Sequence, residues 1–228
     1  MKPLVVASNM FQERPRLERW FDCFEQIADA GILIVDSGSE DWTIEYARGR
    51  GAKVFVDDII RKEGYGPARN QLRQLAKEYW PDAHWLAYFD ADETISEKDL
   101  HKLRFLKDYL IDAYDVIAFP RIDWKDEKMK EAANIVEIAP DWQSRMTRLA
   151  SPLVYVRKLH EQIMNHTKLY MSISNPKINH FHRSTKEKRD FIGKLCAHLH
   201  MQDREWGHTY PEHPKESHYR KLLNLEGL

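Results

Sequence analysis

The chain has 228 residues, 43% of them hydrophobic and 31% charged, with a formal net charge of −1. Such a length and balance predict one soluble, globular domain with room for a sizeable core. They exclude a helical membrane span, since no apolar run approaches the roughly 20 residues that one needs, and they leave no basic block dense enough to announce nucleic-acid binding.

The first half alternates strand and helix. Residues 4–8 read as an apolar strand, with no signal-peptide stretch ahead of it. Over 15–30, Leu17, Trp20, Phe21, Phe24, Ile27 and Ala28 recur at helical spacing, and Gly31 is expected to stop that helix. A second strand follows at 32–35, a helix at 40–49, a third strand at 53–56, a helix at 67–80 and a fourth strand at 84–89. Ser96 opens another helix, with Glu97 and Asp99 in the first turn, where the dipole favours anions. A further strand is read at 116–119. This alternation predicts an α/β fold, a mostly parallel sheet with helices on both faces.

Beyond it come short strands at 146–149, 153–157, 168–171 and 177–181. A long amphipathic helix over 185–201 carries Phe191, Leu195 and Leu199 on one face, and a tail from 207 to 228 ends in a short helix. The expected layout is a single domain over 1–228, with a nucleotide-binding half at 1–95 and a mixed half at 96–228 that completes a cleft.

In a doubly wound sheet, ligands bind beyond the carboxyl ends of the strands. Three polar clusters fall at such ends: Ser8-Asn9, Asp36-Ser37-Gly38-Ser39-Glu40-Asp41 and Asp90-Ala91-Asp92-Glu93. The third is the most informative. It follows the apolar run 85–89. A strand interior would not accept two unpaired carboxylates, but at the sheet edge they can hold a divalent cation by oxygen. Asp36 can accept from a base N–H. Neither the Gly-x-Gly-x-x-Gly fingerprint nor the P-loop pattern occurs, which argues against a dehydrogenase and a P-loop NTPase. The run Gly64-Tyr65-Gly66-Pro67-Ala68-Arg69-Asn70 leads into a helix, where Pro67 suits the start. Arg69 is not dipole-favoured in a first turn, so it suits a phosphate or a nearby carboxylate.

Taken in order, Asp-x-Gly-Ser-x-Asp-x-Thr (Asp36, Gly38, Ser39, Asp41, Thr43), Gly-x-Ala-Arg-Asn (Gly66, Ala68, Arg69, Asn70) and Phe-Asp-Ala-Asp-Glu at 89–93 resemble family 2 glycosyltransferases of the GT-A fold. The likeness is close over 3–95 and looser through Arg145-Met146-Thr147-Arg148-Leu149, Lys158-Leu159-His160-Glu161 and His180. Those later pieces resemble the branch that includes lipopolysaccharide-core glucosyltransferases. The first strand departs from the pattern, with Ala7-Ser8-Asn9-Met10-Phe11-Gln12-Glu13 in place of the usual Pro-Thr-x-Asn-Glu.

The resemblance implies a Rossmann-like GT-A sheet and an inverting, metal-dependent transfer of a sugar from a nucleotide diphosphate sugar, a uridine one, to an acceptor hydroxyl. It implies donor contacts from Ser8, Asn9, Asp36, Gly66, Arg69 and Asp90. Asp92 would bind Mn²⁺ or Mg²⁺, with His180 added to the metal shell. Displacement at the anomeric carbon also needs a carboxylate base for the acceptor hydroxyl. Glu161 is the first candidate and Asp141 the second. Trp124 and Trp142 suit core packing or stacking on an acceptor ring, and His198 and His200 read as structural.

Cys23 and Cys196 lie far apart without metal spacing, as expected of buried thiols in a reducing compartment, and point to the cytoplasm. Charge is uneven: residues 1–156 hold 22 Lys+Arg and 28 Asp+Glu, whereas 157–228 hold 13 and 8, with nine of the 11 histidines. The expected acceptor is a saccharide. The mildly basic back third leaves a hydroxymethylated DNA base as an alternative. Two other classes are a nucleotidyltransferase, marked by pyrophosphate release, and an inactive nucleotide- or carbohydrate-binding domain, which the retained donor-site carboxylates argue against. No integral membrane association is expected.

Overall fold

A computed structural model describes residues 2–109, 113–125, 128–134, 140–181 and 186–205. The expected short helix of the tail lies outside them. In chain order the elements are β1 (Leu4–Met10), α1 (Arg14–Phe24), β2 (Gly31–Asp36), α2 (Thr43–Gly49), β3 (Lys53–Val56), α3 (Ile59–Glu63), α4 (Tyr65–Tyr79) and β4 (Trp85–Tyr88). Then come β5 (Glu93–Ile95), α5 (Glu97–Tyr109), β6 (Val116–Trp124), β7 (Asp141–Arg148), β8 (Val154–Val156), β9 (Gln162–Met164), β10 (Leu169–Met171), β11 (Ile178–Phe181) and α6 (Lys186–Glu205).

Among the described residues nine strands form one sheet in the order β3-β2-β1-β4-β7-β6-β11-β5, with β10 also paired to β6. Strands β1 to β4 are mutually parallel. β7 runs antiparallel between β4 and β6, β10 and β11 run parallel to β6, and β5 closes the edge antiparallel to β11. The expected mixed, mostly parallel sheet is therefore present.

The central strands are apolar on both faces because both are covered. On one face Leu4, Val6, Ile34, Trp85 and Ala87 pack in a core with Leu17, Trp20, Phe21 and Phe24 of α1 and with Leu100 and Leu103 of α5. The α1 residues fall at i, i+3, i+4 and i+7, one helical stripe. Phe24 stacks on Phe89 with ring centroids 4.3 Å apart. Burying each such side chain is worth about 1.5–3 kcal/mol. On the other face Val5, Leu33 and Leu86 are buried, as are Leu72 and Ala76 of α4. Arg73 of that helix donates to Thr147 Oγ1 at 2.8 Å, and Thr147 is the register partner of Leu86.

Helix α1 ends at Phe24, earlier than its apolar spacing suggests, although Ile27 stays fully buried. Gly31 opens β2 rather than merely stopping a helix. β6 and β7 run further than expected, to Trp124 and from Asp141; most of the added residues are half-buried, and Ile122, Trp124 and Trp142 are scattered among polar residues rather than forming an apolar run.

The described residues divide into two compact units, one of those within 1–58, 71–153 and 165–182, the other of those within 59–70, 154–164 and 183–228. Their borders cut across the halves expected on either side of residue 95. The first unit holds the sheet. The second holds α3, the first turns of α4, the β8-β9 hairpin and α6.

Candidate active site

Within the first unit, β1 has β2 on one side and β4 on the other, so the chain order reverses there. Such a switch point opens a crevice at the carboxyl ends of parallel strands. Ser8 is fully buried near the end of β1. Asn9 pairs in register with Val35, and Met10 with Asp36. The Asp36–Thr43 motif folds into a bracket that ties the loop after β2 to the loop after β1. Asp36 Oδ1 accepts from Gly38 N (2.9 Å) and Ser39 N (2.6 Å), and Oδ2 from Ser39 Oγ (2.8 Å). Ser39 Oγ accepts from Gln12 N (2.7 Å), Thr43 Oγ1 from Glu13 N (2.9 Å) and Asp41 Oδ2 from Arg14 N (3.0 Å). Gly38 has φ 86°, a left-handed value that glycine takes without strain. Burial pushes the Asp36 carboxyl up, against the pull of the Ser39 and Gly38 hydrogen bonds.

At the end of β4 the chain makes a tight turn, with Glu93 N donating to Asp90 O at 2.9 Å and Asp90 N to Glu93 Oε2 at 3.0 Å. Arg145 of β7, 3% exposed, reaches both carboxylates, at 2.7 Å from Asp90 Oδ2 and 2.5 Å from Glu93 Oε1. Burial raises the Glu93 carboxyl, with Arg145 opposing and Asp90 adding to the rise. For Arg145, burial works against the charge, but Asp90 and Glu93 outweigh it and hold the guanidinium well above its usual value.

Strand β11 lies between β6 and β5, where His180 is in register with Asp123 on one side and Glu93 on the other. The two residues expected to hold metal are thereby brought together, His180 Nε2 standing 3.5 Å from Asp92 Oδ2. The other ring nitrogen, Nδ1, is 2.7 Å from Asp123 Oδ1. Burial alone would lower the His180 pKa, but the hydrogen bonds to Asp123 and then Asp92 raise it to about 9. A carboxylate oxygen suits Mn²⁺ or Mg²⁺, an imidazole nitrogen is a ligand for divalent transition ions, and a second carboxylate on the far ring nitrogen is the usual support of a metal-binding histidine. Among the described residues no three His, Cys, Asp or Glu side chains gather as a complete cage. Hard cations at phosphate sites use one or two protein carboxylates and take other oxygens from the substrate. Next to this pair Arg121 binds Asp141 Oδ2 at 2.6 Å and lies 3.4 Å from Asp123 Oδ1.

In the second unit the Gly-x-Ala-Arg-Asn motif supports the hairpin that presents Glu161. Gly66 N donates to Arg157 O at 3.1 Å, and a Cβ on Gly66 would lie 2.3 Å from that oxygen, so only glycine fits. Asn70 behaves like a neighbouring strand: its Nδ2 donates to Tyr155 O and its Oδ1 accepts from Tyr155 N, both at 2.8 Å. Arg69, 3% exposed, places Nε 3.4 Å from Glu161 Oε1. Of the two partners the sequence allowed Arg69, a carboxylate is therefore present. Asp203 of α6 accepts from Lys158 N (2.8 Å) and Leu159 N (2.9 Å), bracing the same loop.

The sequence pattern does not single out five of these residues: Glu93, Arg121, Asp123, Arg145 and Asp203. Arg145 and Glu93 lie inside the motifs of the family resemblance, which by themselves give them no role. The alternation Arg121-Ile122-Asp123 after Pro120 was the available signal for the polar end of β6. Nothing local marked Asp203. Trp124 donates from Nε1 to Asn179 Oδ1 at 2.9 Å, and His200 is fully buried, both consistent with structural roles.

No curated protein matches the chain. Among solved structures, S. aureus TarS is similar, with a TM-score of 0.53 at 16% identity, over 98% of this chain and 42% of TarS. The 1–349 form of TarS gives 0.53 at 15% identity, over 98% of this chain and 69% of that one. The chain thus spans less than half the length of TarS, and the likeness is one of fold. A weaker likeness, TM-score 0.41 at 17% identity over 54% of this chain and 45% of the other, is to a Mycobacterium tuberculosis glucosyl-3-phosphoglycerate synthase. The family model described as glycosyl transferase family 2 matches residues 7–184. With the GT-A-like sheet, the switch-point crevice and the ordered motifs in place, the chain belongs to glycosyl transferase family 2.

Proposed function

We propose that this chain is a metal-dependent glycosyltransferase that moves a sugar, with inversion, from a uridine diphosphate sugar to a hydroxyl of a saccharide acceptor. The observation that carries the reading is the meeting of Asp92 and His180 at 3.5 Å at the sheet edge. Asp92 and His180 would hold Mn²⁺ or Mg²⁺, which when bound supplies Lewis-acid stabilisation of the departing diphosphate. Asp90, steadied by Arg145, is the candidate for the ribose, and Ser8, Asn9 and Gly66 remain candidates for further donor contacts. Asp36 keeps acceptor capacity on Oδ2 for a base N–H, since an ionised carboxylate oxygen takes more than one donor. Arg69 would add positive charge near the donor phosphates, although its guanidinium is paired with Glu161. The base is assigned first to Glu161 and second to Asp141, each held by an arginine.

The sequence has only two cysteines, and both are free thiols. No helix among the described residues is long and apolar enough to cross a membrane. These observations support a cytoplasmic location. The test is calorimetry of Mn²⁺ binding with uridine diphosphate present. Asp92→Asn and His180→Ala should each weaken binding at least about tenfold, the lower end of what losing even an outer metal partner costs. Wild-type affinity in both variants would overturn the metal assignment. Tighter binding of guanosine or cytidine diphosphate would overturn the uridine assignment alone.

A further inference from the structure

We propose that Asp123 is a positioning residue that fixes the tautomer and ring orientation of His180, so that Nε2 is the nitrogen offered beside Asp92. The inference rests on the reading of Asp92 and His180 as the residues that hold a divalent ion.

An imidazole has two distinct nitrogens, and the hydrogen bond made at one decides what the other presents. In the neutral ring one nitrogen is a donor and the other an acceptor. Asp123 Oδ1 lies 2.7 Å from Nδ1, and an ionised carboxylate can only accept. Nδ1 must therefore keep its proton, and Nε2, 3.5 Å from Asp92 Oδ2, is the nitrogen that would give up its proton to an incoming ion. The opposite tautomer would set two acceptors against each other at Nδ1. His180 is 8% exposed, which leaves the ring little room to turn.

Asp123 is itself held on several sides, as a positioning group must be. Its N–H donates to Asn134 Oδ1 at 2.9 Å and its carbonyl accepts from Ala133 N at 2.7 Å. Asn134 Nδ2 donates to Arg121 O at 2.8 Å, fixing the same stretch of β6 from the neighbouring turn. The Arg121 guanidinium stands 3.4 Å from Asp123 Oδ1. One residue along, the Trp124 Nε1 bond to Asn179 Oδ1 locks the register of β6 against β11 beside the pair.

The experiment is a double-mutant cycle on Asp123 and His180, read as Mn²⁺ affinity by calorimetry and electron paramagnetic resonance with uridine diphosphate present. Asp123→Ala should weaken Mn²⁺ about 10–100-fold, the usual cost of losing an outer partner of a metal-binding histidine. It should add nothing in a His180→Ala background, because a residue acting only through His180 has nothing left to act on. Asp123→Asn, which keeps an acceptor oxygen for Nδ1–H, should fall between wild type and Asp123→Ala. Unchanged affinity in Asp123→Ala alongside a weakened His180→Ala would overturn this proposal alone. Losses that simply add in the double variant would do the same. A His180→Ala variant that binds Mn²⁺ as wild type would overturn the metal reading and this proposal with it. Should Asp123→Ala fail to fold, ¹⁵N spectra of the wild-type imidazole in the Mg²⁺ and uridine diphosphate complex decide the matter. A proton on Nδ1 supports the proposal, and a proton on Nε2 overturns it.

Discussion

Cys23 is the plainest case of a side chain whose chemistry is set by its surroundings. Its Sγ lies 3.3 Å from Ile95 N and 3.4 Å from Ile95 O, and it is 8% exposed. Burial pushes the thiol up to about 11, against the pull of the Ile95 backbone and Arg19. Because the thiolate is the reactive species, Cys23 in the native protein at pH 8 should be alkylated at least ~100-fold more slowly than in denaturant, as mass spectrometry of labelled peptides would report. Equal rates would contradict the burial. For the base, removal of a general base typically costs about 10²–10⁴-fold. Glu161→Gln should lower turnover by that order with donor affinity nearly unchanged, and Asp141→Asn should do less. If Asp141→Asn is the dead variant and Glu161→Gln the active one, the two residues exchange roles.

At the scale of elements, the β8-β9 hairpin depends on the start of α4 more than on its own strands. Each strand has three residues, and a short isolated hairpin is marginal in water. Asn70→Ala would leave the Tyr155 N–H and C=O without their amide partner and should cost about 1–3 kcal/mol. Hydrogen exchange at Tyr155 should quicken more than exchange in β1. Gly66→Ala would drive a Cβ to within 2.3 Å of the Arg157 carbonyl, a clash with backbone that should cost about 1–3 kcal/mol, as overpacking does. A chemical denaturation midpoint at or above wild type for Gly66→Ala would show that the hairpin can shift to make room. The same elements show why parts of the fold were hard to read. β5 and β9 are too short for any periodicity to register, whereas β1, β2 and α1 carry enough apolar residues to declare their type.

Across the whole molecule, one carboxylate links three stretches of the first unit. Asp115 accepts from Ser151 Oγ and Thr167 Oγ1 at 2.6 Å each, from Thr167 N at 2.9 Å and from Lys168 N at 3.2 Å. The Ser151 and Thr167 hydrogen bonds hold its carboxyl well below the usual carboxylate range. A carboxyl depressed by folding contributes stability that is fully present above its unfolded value, about 3.9. That stability is lost as pH falls below this value toward the folded one. The wild type should therefore lose stability steadily below about pH 4, and Asp115→Asn should be less stable at pH 7 with a flatter acid limb. Urea midpoints measured from pH 7 down to pH 3 check both points. Parallel acid limbs would remove Asp115 from the account.

The alternation of strand and helix, the polar turns at strand ends and the order of the three motifs were all determined by the sequence alone. These are local properties: side-chain period, turn chemistry and the cost of a carboxylate inside a strand. The partners of those residues were decided only by the tertiary structure. Arg145 finds Glu93 across 52 residues, His180 finds Asp123 across 57, and Arg69 finds Glu161 across 92. Nothing in the local pattern of either partner specifies the other. For the first two pairs, what specifies them is strand order, and for the third it is the packing of the β8-β9 hairpin on the start of α4. Inserting β11 between β6 and β5 sets His180 beside Asp123 and Asp92, and laying β7 against β4 sets Arg145 under the acidic turn. A charged group taken out of water needs its counterpart within a few ångströms, and the tertiary fold is what brings these charges into reach.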